Sequence, residues 1–259
     1  MTTADYSRED IVHALEEVEI EEGDAIFVHS NLGFFGELDG ASTREEYTKA
    51  FYEAVWSVIG ESGTLVVPTF TYSFTEGNSF DPEETPSDMG MFSEYVRELD
   101  ESQRSIDPNF SIAAVGDLAE DLTADAPNHS FGRDSFWERF LANDGKYCNF
   151  NFDAASTSIH YAERCLDVEY RWDKPFAGEI SRGDETERRV FYHYVRDLSD
   201  DGHEPDFSAF DRKARREGFV STADLGKGQI VSIGASQTYD VVESGYLEDR
   251  SFLIQGEEV

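Results

Sequence analysis

The stretch Ala25-Ile26-Phe27-Val28-His29-Ser30-Asn31-Leu32-Gly33-Phe34-Phe35-Gly36 decides how the rest of the chain is read. Its first four residues are apolar, follow a Gly23-Asp24 turn, and stop at a polar loop carrying two glycines. A run this short and uniformly apolar reads as a strand buried on both faces. Downstream, Thr43 and Glu46 have the spacing of a capping box. Tyr47, Phe51, Ala54, Val55 and Val58 then recur at helical intervals up to Gly60, a C-cap glycine. Thr64-Leu65-Val66-Val67 repeats the strand pattern and ends at Pro68. Strand, loop, helix, strand in that order predicts an α/β sheet. Its loops gather at the carboxyl ends of the strands, where such sheets bind ligands.

Working outward, residues 7–20 read as a helix opened by Ser7 and Asp10, with Ile11, Val12, Leu15 and Val18 as its apolar stripe. Residues 69–89 are predicted to be irregular, a length uncommon unless it lines a site. Helices are expected over 91–99, 117–123 and 133–141, strands over 112–115 and 147–152, and a further helix from Thr157. After about residue 168 the texture becomes antiparallel, with strands expected at 168–172, 176–180 and 189–195. A polar helix at 206–216, an extended piece at 218–223, a strand at 229–233 and a helix at 236–247 follow. The predicted class is therefore α/β, a central mixed sheet flanked by helices with a smaller, mainly antiparallel C-terminal part. The expectation is one unit over 1–259, with any subdomain boundary near 170.

Composition bounds the function. Asp and Glu number 55 against 21 Lys and Arg, for a formal net charge of -34. Aromatic residues make up 14% of the chain, which separates it from acidic disordered sequences. Lys49, Lys146, Lys174, Lys213 and Lys227 are its only lysines. Many carboxylates and few lysines point to a high-salt cytoplasm, where a Debye length near ~3 Å screens self-repulsion. No basic patch suits nucleic acid. Cys148 and Cys165 have no metal-ligand spacing and read as free thiols. Asp5, Glu9 and Asp10 stand where a signal peptide would be basic, and no apolar run approaches the ~18 residues of a membrane span. The expected location is cytoplasmic.

Chemistry concentrates in Ser156-Thr157-Ser158-Ile159-His160-Tyr161-Ala162-Glu163. On a helix His160 and Glu163 share one face, one turn apart. A carboxylate beside an imidazole fixes its tautomer and raises its proton affinity, the arrangement of a general base. The bland alternative is a helix start with an incidental charged neighbour. Two strand ends, His29-Ser30-Asn31 and Pro68-Thr69-Phe70-Thr71, carry small polar groups suited to a ligand or simply to a tight turn. Arg104 and Ser111 flank a proline bend, as an anion site or as a surface ion pair.

Taken together, these motifs resemble those of the aminoglycoside 3-N-acetyltransferases. His29-Ser30-Asn31-Leu32…Phe35-Gly36, Pro68-Thr69-Phe70-Thr71, Arg104-Ser105…Pro108…Ser111…Ala114…Gly116, Phe131-Gly132…Ser135 and Thr157-Ser158-Ile159-His160…Glu163 occur in the family's order and at similar spacings, from about residue 8 to about 250. The resemblance implies the fold of that family, not the histone-acetyltransferase-type fold. It further implies acetyl-CoA as cosubstrate with no metal, and a small-molecule amine on an amino sugar or aminoglycoside as acceptor, often in a homodimer. It makes His160 the catalytic base and Glu163 its partner. Around the CoA it places Ser30, Asn31, Leu32, Gly33, Thr69, Phe70, Thr71, Arg104, Phe110 and Ser111, and toward the acceptor Tyr72, Asp107, Asp153 and Thr157.

The chain departs from the family pattern at three places. Asp107-Pro108 replaces His-Pro, Ser30-Asn31 replaces Ser-Ser, and Asp153 stands where relatives carry an aromatic or a histidine. Asp107 beside a phosphate would repel it, so its side chain is expected to face away or toward a cationic acceptor. A hydrolase reading lacks a G-x-S-x-G elbow and an H-E-x-x-H zinc motif. A catalytically inactive relative that binds CoA or a sugar is the alternative, and the presence of both His160 and Glu163 speaks against it. The remaining histidines, His13, His129, His193 and His203, read as structural, and Trp137 and Trp172 as core or rim aromatics.

Overall fold

The computed structural model describes residues 4–124, 127–199 and 203–255. Besides one 3-10 turn (Leu32–Phe34), nine α-helices and nine strands are described. In chain order they are α1 (Arg8–Glu17), β1 (Ala25–Ser30), α2 (Arg44–Ile59), β2 (Thr64–Pro68), α3 (Ser73–Glu76), α4 (Met91–Arg97), β3 (Gln103–Arg104), β4 (Ile112–Gly116), α5 (Ala119–Thr123), α6 (Phe136–Ala142), β5 (Lys146–Phe150), α7 (Ile159–Cys165), β6 (Trp172–Arg182), β7 (Glu185–Val195), α8 (Ser208–Arg216), β8 (Ser221–Leu225), β9 (Gly228–Gly234) and α9 (Ala235–Glu248).

Seven strands form one mixed sheet in the order β3-β4-β2-β1-β5-β9-β8. β1 lies parallel to both β2 and β5, while β4 and β9 run antiparallel outside them. The apolar run of β1 is explained by burial on both sides. Ile26 and Val28 pack with Ile11, Leu15, Phe51 and Val55 of α1 and α2. Phe27 faces the other way, with Trp137, Phe140 and Tyr147. Both expected capping boxes form: Ser7 Oγ accepts from Asp10 N at 3.2 Å and Thr43 Oγ1 from Glu46 N at 3.1 Å.

The antiparallel C-terminal texture is present but differently divided. The three strands expected between 168 and 195 are one long hairpin, β6–β7, with Arg182 paired to Glu185 across a two-residue turn. Residues 168–171 are not a strand, because Val168 N donates to Glu163 O and closes the end of α7. The hairpin alone would be marginal in water. It is held by a buried cluster of Phe74, Phe80, Ile180 and Phe191 and by a bridge between Phe80 and Ile180. β8 extends to Leu225 and, with β9, is hydrogen-bonded into the central sheet beside β5. The irregular stretch after β2 contains the single helical turn α3.

Because β1, β2 and β5 are parallel and β4 and β9 run the other way, loops 30–36, 69–72, 105–111 and 151–158 emerge at one end of the sheet. The close pairing of β2 and β4 requires Gly116, whose φ is +117°. A Cβ there would overlap the Gly63 carbonyl oxygen and lie 2.9 Å from Thr64 Cα. Gly116→Ala is therefore expected to destabilise the fold by roughly 2–4 kcal/mol, read as a lower urea midpoint. An unchanged midpoint would show that the end of the sheet opposite these loops, where Gly116 pairs with Thr64, is free to relax.

Candidate active site

The loop after β5 is built to aim α7. Asn151 takes a positive φ of 62°. Its side chain ties three segments, donating to Asn31 O at 3.0 Å and accepting from Gln229 N at 3.1 Å. Ser156 and Ser158 pair their hydroxyls at 2.6 Å in the turn before the helix. Ile159, Tyr161 and Ala162 are buried in the core, which leaves His160 to line a cavity with Glu163 beneath it.

His160 Nδ1 lies 2.6 Å from Glu163 Oε2, with side-chain exposures of 20% and 0%. Tyr170 donates its hydroxyl to Glu163 Oε1 at 2.9 Å. Arg171 Nε is 2.9 Å from the same Oε2 that meets His160. That N–H is not aimed at the oxygen, so this contact is an ion pair without a hydrogen bond. Burial pushes the Glu163 carboxyl up, but the charge and hydrogen bond of His160, the charge of Arg171 and the Tyr170 hydroxyl outweigh it. The net displacement is below the usual carboxylate range. With Glu163 ionised, Nδ1 carries the imidazole proton toward it and Nε2 is left as the acceptor.

The cavity holds about 700 Å³. Thr75 and the hairpin residues Trp172, Lys174, Phe176, His193 and Tyr194 line it together with His160 and Arg171. Behind the lining residues His160 and His193, aromatic rings pack in a chain. Phe131 sits 5.5 Å from the His160 ring, Phe110 4.8 Å from Phe131, and His193 4.7 Å from Phe110. Among the described residues no group of three or more His, Cys, Asp or Glu side chains is placed to hold a metal ion.

The structure gathers only some of the expected site residues here. Tyr72 and Phe110 reach the cavity wall through their contacts with His193. Thr157 stays beside His160 and accepts the His160 N–H on its carbonyl. Phe70 is buried and packs on Phe110. Thr69, Thr71 and Ser111 turn their hydroxyls inward: Ser111 Oγ donates to Thr69 O at 2.6 Å and Thr71 Oγ1 to Pro108 O at 2.8 Å. Arg104 is likewise committed to protein acceptors. It reaches Thr69 O at 2.8 Å, Thr69 Oγ1 at 3.1 Å, Ser111 Oγ at 3.2 Å, and the carbonyls of Pro82 and Thr85. Burial lowers its pKa to about 10. In this arrangement Arg104 clamps the 69–85 loop instead of offering a free cation.

Asp107 faces inward and accepts the N–H groups of Asn109 and Phe110 at 2.9 Å. Burial raises its pKa. Asp153 is exposed, and its carbonyl accepts from Asn149 Nδ2 at 2.6 Å. Ser30 and Asn31 end β1 beside Phe150. Leu32 is buried, and Gly33 borders a separate cavity of about 590 Å³ with Thr43, Tyr47 and Met91.

Sequence reasoning missed the hairpin's contribution and the two groups behind Glu163. Tyr170 and Arg171 lay in an expected strand, so their fold-back onto Glu163 had no periodic signal. His193, expected to be structural, lines the cavity with a buried, unpartnered Nδ1. Another orphan pair sits at the strand ends. His29 Nε2 and Asn149 Oδ1 are buried without a partner, on residues that are register neighbours in β1 and β5.

Burial lowers the pKa of both His29 and His193 to about 4, with the nearby charges of His160 and Arg171 adding to the effect at His193. An unfolded histidine titrates near ~6.5. Between those values the unfolded chain holds more protons, so each ring contributes stability that is complete above about 6.5 and declines as pH falls toward 4. His193→Phe should flatten the dependence of the urea midpoint on pH within that window. A variant as pH-dependent as the wild type would mean that His193 is protonated in the folded state.

A sequence model described as aminoglycoside 3-N-acetyltransferase matches residues 27–246. Aminoglycoside N(3)-acetyltransferase III of a Salmonella species is 27% identical over 188 residues, 64% of this chain and 64% of that protein's length. The solved structure of AAC-IIIb in binary complex with CoASH superposes with a TM-score of 0.79 at 21% identity, over 98% of this chain and 98% of that one. AAC-VIa bound to sisomicin gives 0.79 at 23% identity, over 95% and 98%. At these identities the two structures establish the shared fold, and the sequence match over residues 27–246 establishes more: the chain belongs to the aminoglycoside 3-N-acetyltransferase family.

Proposed function

We propose that the protein transfers an acetyl group from acetyl-CoA to an amine of an amino sugar or aminoglycoside-like acceptor, with His160 as general base and Glu163 as its carboxylate partner. The observation that carries this reading is the 2.6 Å contact between His160 Nδ1 and the fully buried Glu163 carboxylate, at the wall of a cavity of about 700 Å³. Family relatives that bind CoASH or sisomicin support the choice of cosubstrate and acceptor class.

The residues present suit a CoA arm. Its pantetheine portion carries amides, and the orphaned His29 Nε2 and Asn149 Oδ1 at adjacent strand ends are the polar atoms such amides would satisfy. When bound, acetyl-CoA supplies the acyl carbon as a thioester. His160 Nε2 accepts the proton of the attacking amine as the C–N bond forms and the C–S bond breaks, and the proton then passes to the departing thiolate. Glu163 holds the imidazole in the tautomer with Nε2 bare and stabilises the imidazolium that forms. Developing charge on the acyl oxygen calls for fixed donors, and the 30–33 loop or Thr157 is proposed to supply them. Arg104 is proposed as a loop clamp in place of a phosphate ligand, since its donors already meet protein oxygens.

Release of free CoA thiol, measured in concentrated KCl with a panel of amino sugars and aminoglycosides, tests the reading. The wild type should require an acceptor, and His160→Ala should abolish transfer while CoA still binds. Glu163→Gln should slow turnover by roughly 10²-fold, the scale of general-base contributions. Wild-type turnover in His160→Ala would remove the assignment. CoA binding without transfer to any acceptor would favour the alternative, a binding relative that has lost turnover.

A further inference from the structure

We propose that Arg171 is a positioning residue that restrains the general base: its guanidinium shares the Glu163 oxygen that meets His160 and so keeps His160 from holding its proton too tightly. The inference rests on the base assignment above for its catalytic meaning, but its electrostatic content stands on geometry alone.

Two side-chain nitrogens meet Glu163 Oε2, His160 Nδ1 at 2.6 Å and Arg171 Nε at 2.9 Å. These two legs put the nitrogens no farther apart than their sum, 5.5 Å. The Arg171 side chain is only 7% exposed, so water screens the pair little. The orientation of Arg171 fits a charge role, because its N–H is not aimed at Oε2 and the contact supplies field more than a directed bond. Tyr170, on the other oxygen, supplies the directed bond that fixes the carboxylate plane.

A carboxylate partner favours the charged form of an imidazole, and a fixed cation on the same oxygen opposes it. Other charged or titratable groups around the His160 cavity are Lys174, His193 and Tyr194 on the hairpin, and Arg196 and Asp197 just past it. Arg196 is paired with Glu204 at 2.8 Å, and Lys174 extends over the Phe176 ring. Arg171 is therefore the cation that the Glu163 carboxylate itself brings next to His160.

The test is an imidazole NMR titration of the full-length protein in concentrated KCl, with the His160 signal assigned by its loss in His160→Gln. Arg171→Met removes the charge and Arg171→Lys keeps it. Removing a neighbouring positive charge favours the protonated ring, so in Arg171→Met the His160 midpoint should rise by roughly one pH unit or more. Arg171→Lys should stay close to the wild type. If transfer is observed, the acid limb of kcat/KM should move up in parallel, costing Arg171→Met roughly 10-fold at a pH below the new limb. A midpoint that does not move in Arg171→Met, or that moves equally in both variants, overturns the proposal. So does a raised KM with an unmoved limb, which would make Arg171 a substrate ligand. Should Arg171→Met fail to fold, Arg171→Gln offers the same neutral test. The titration needs no turnover, so a failed acetyltransferase assay and a failed charge effect are separate outcomes.

Discussion

A carboxylate with no exposure to water constrains this structure more than any other single group. Leaving Glu163 ionised inside the protein costs several kcal/mol unless partners replace its hydration. It finds them in two pieces of chain: His160 on its own helix, and Tyr170 with Arg171 on the segment that follows. That segment leads directly into β6. Satisfying the carboxylate therefore also fixes where the long hairpin starts, and the hairpin supplies much of the cavity wall opposite His160. Packing, charge balance and site geometry are one problem here.

The sheet solves the complementary problem of convergence. Parallel β1, β2 and β5 bring three loop exits to one end, and antiparallel β4 and β9 deliver the 105–111 loop and the start of β9 to the same place. Once there, the loops are stiffened from within. Arg104 binds the 69–85 loop through carbonyls and hydroxyls, and Asn151 joins the ends of β1, β5 and β9. Polar side chains that look like ligand groups in the sequence are used to hold loop shape. Among the buried polar atoms left without a hydrogen-bond partner, His29 Nε2 and Asn149 Oδ1 lie near the strand ends and His193 Nδ1 belongs to a residue lining the cavity.

Much of the architecture was legible in local pattern. The buried runs of β1 and β2, both capping boxes and the Gly60 cap follow from near-neighbour chemistry, which tertiary packing did not override. The H-x-x-E spacing was legible for the same reason, since one helical turn brings residues three apart together wherever the helix sits. The hairpin was misdivided because its 11-residue strands alternate only weakly, with long exposed stretches, and Pro175 interrupts the apolar signal. The sequence left Arg104 open between an anion site and an ion pair, because an arginine beside a proline bend looks the same whether its acceptors are a ligand's oxygens or carbonyls 19 to 35 residues away.

By itself, then, the sequence determined the strand–helix alternation, the acidic character, the helix that carries His160 and Glu163, and through the order of five motifs the family. These depend on contacts within a few residues or on pattern along the chain. Only the tertiary structure decided which oxygen of Glu163 meets His160 and Arg171 and which meets Tyr170, that Tyr170 and Arg171 turn back onto it, that Arg104 and the Thr69, Thr71 and Ser111 hydroxyls point inward, and that His193 lines the cavity beside His160. Each of those depends on where a distant segment places one atom, and local propensity carries no information about that.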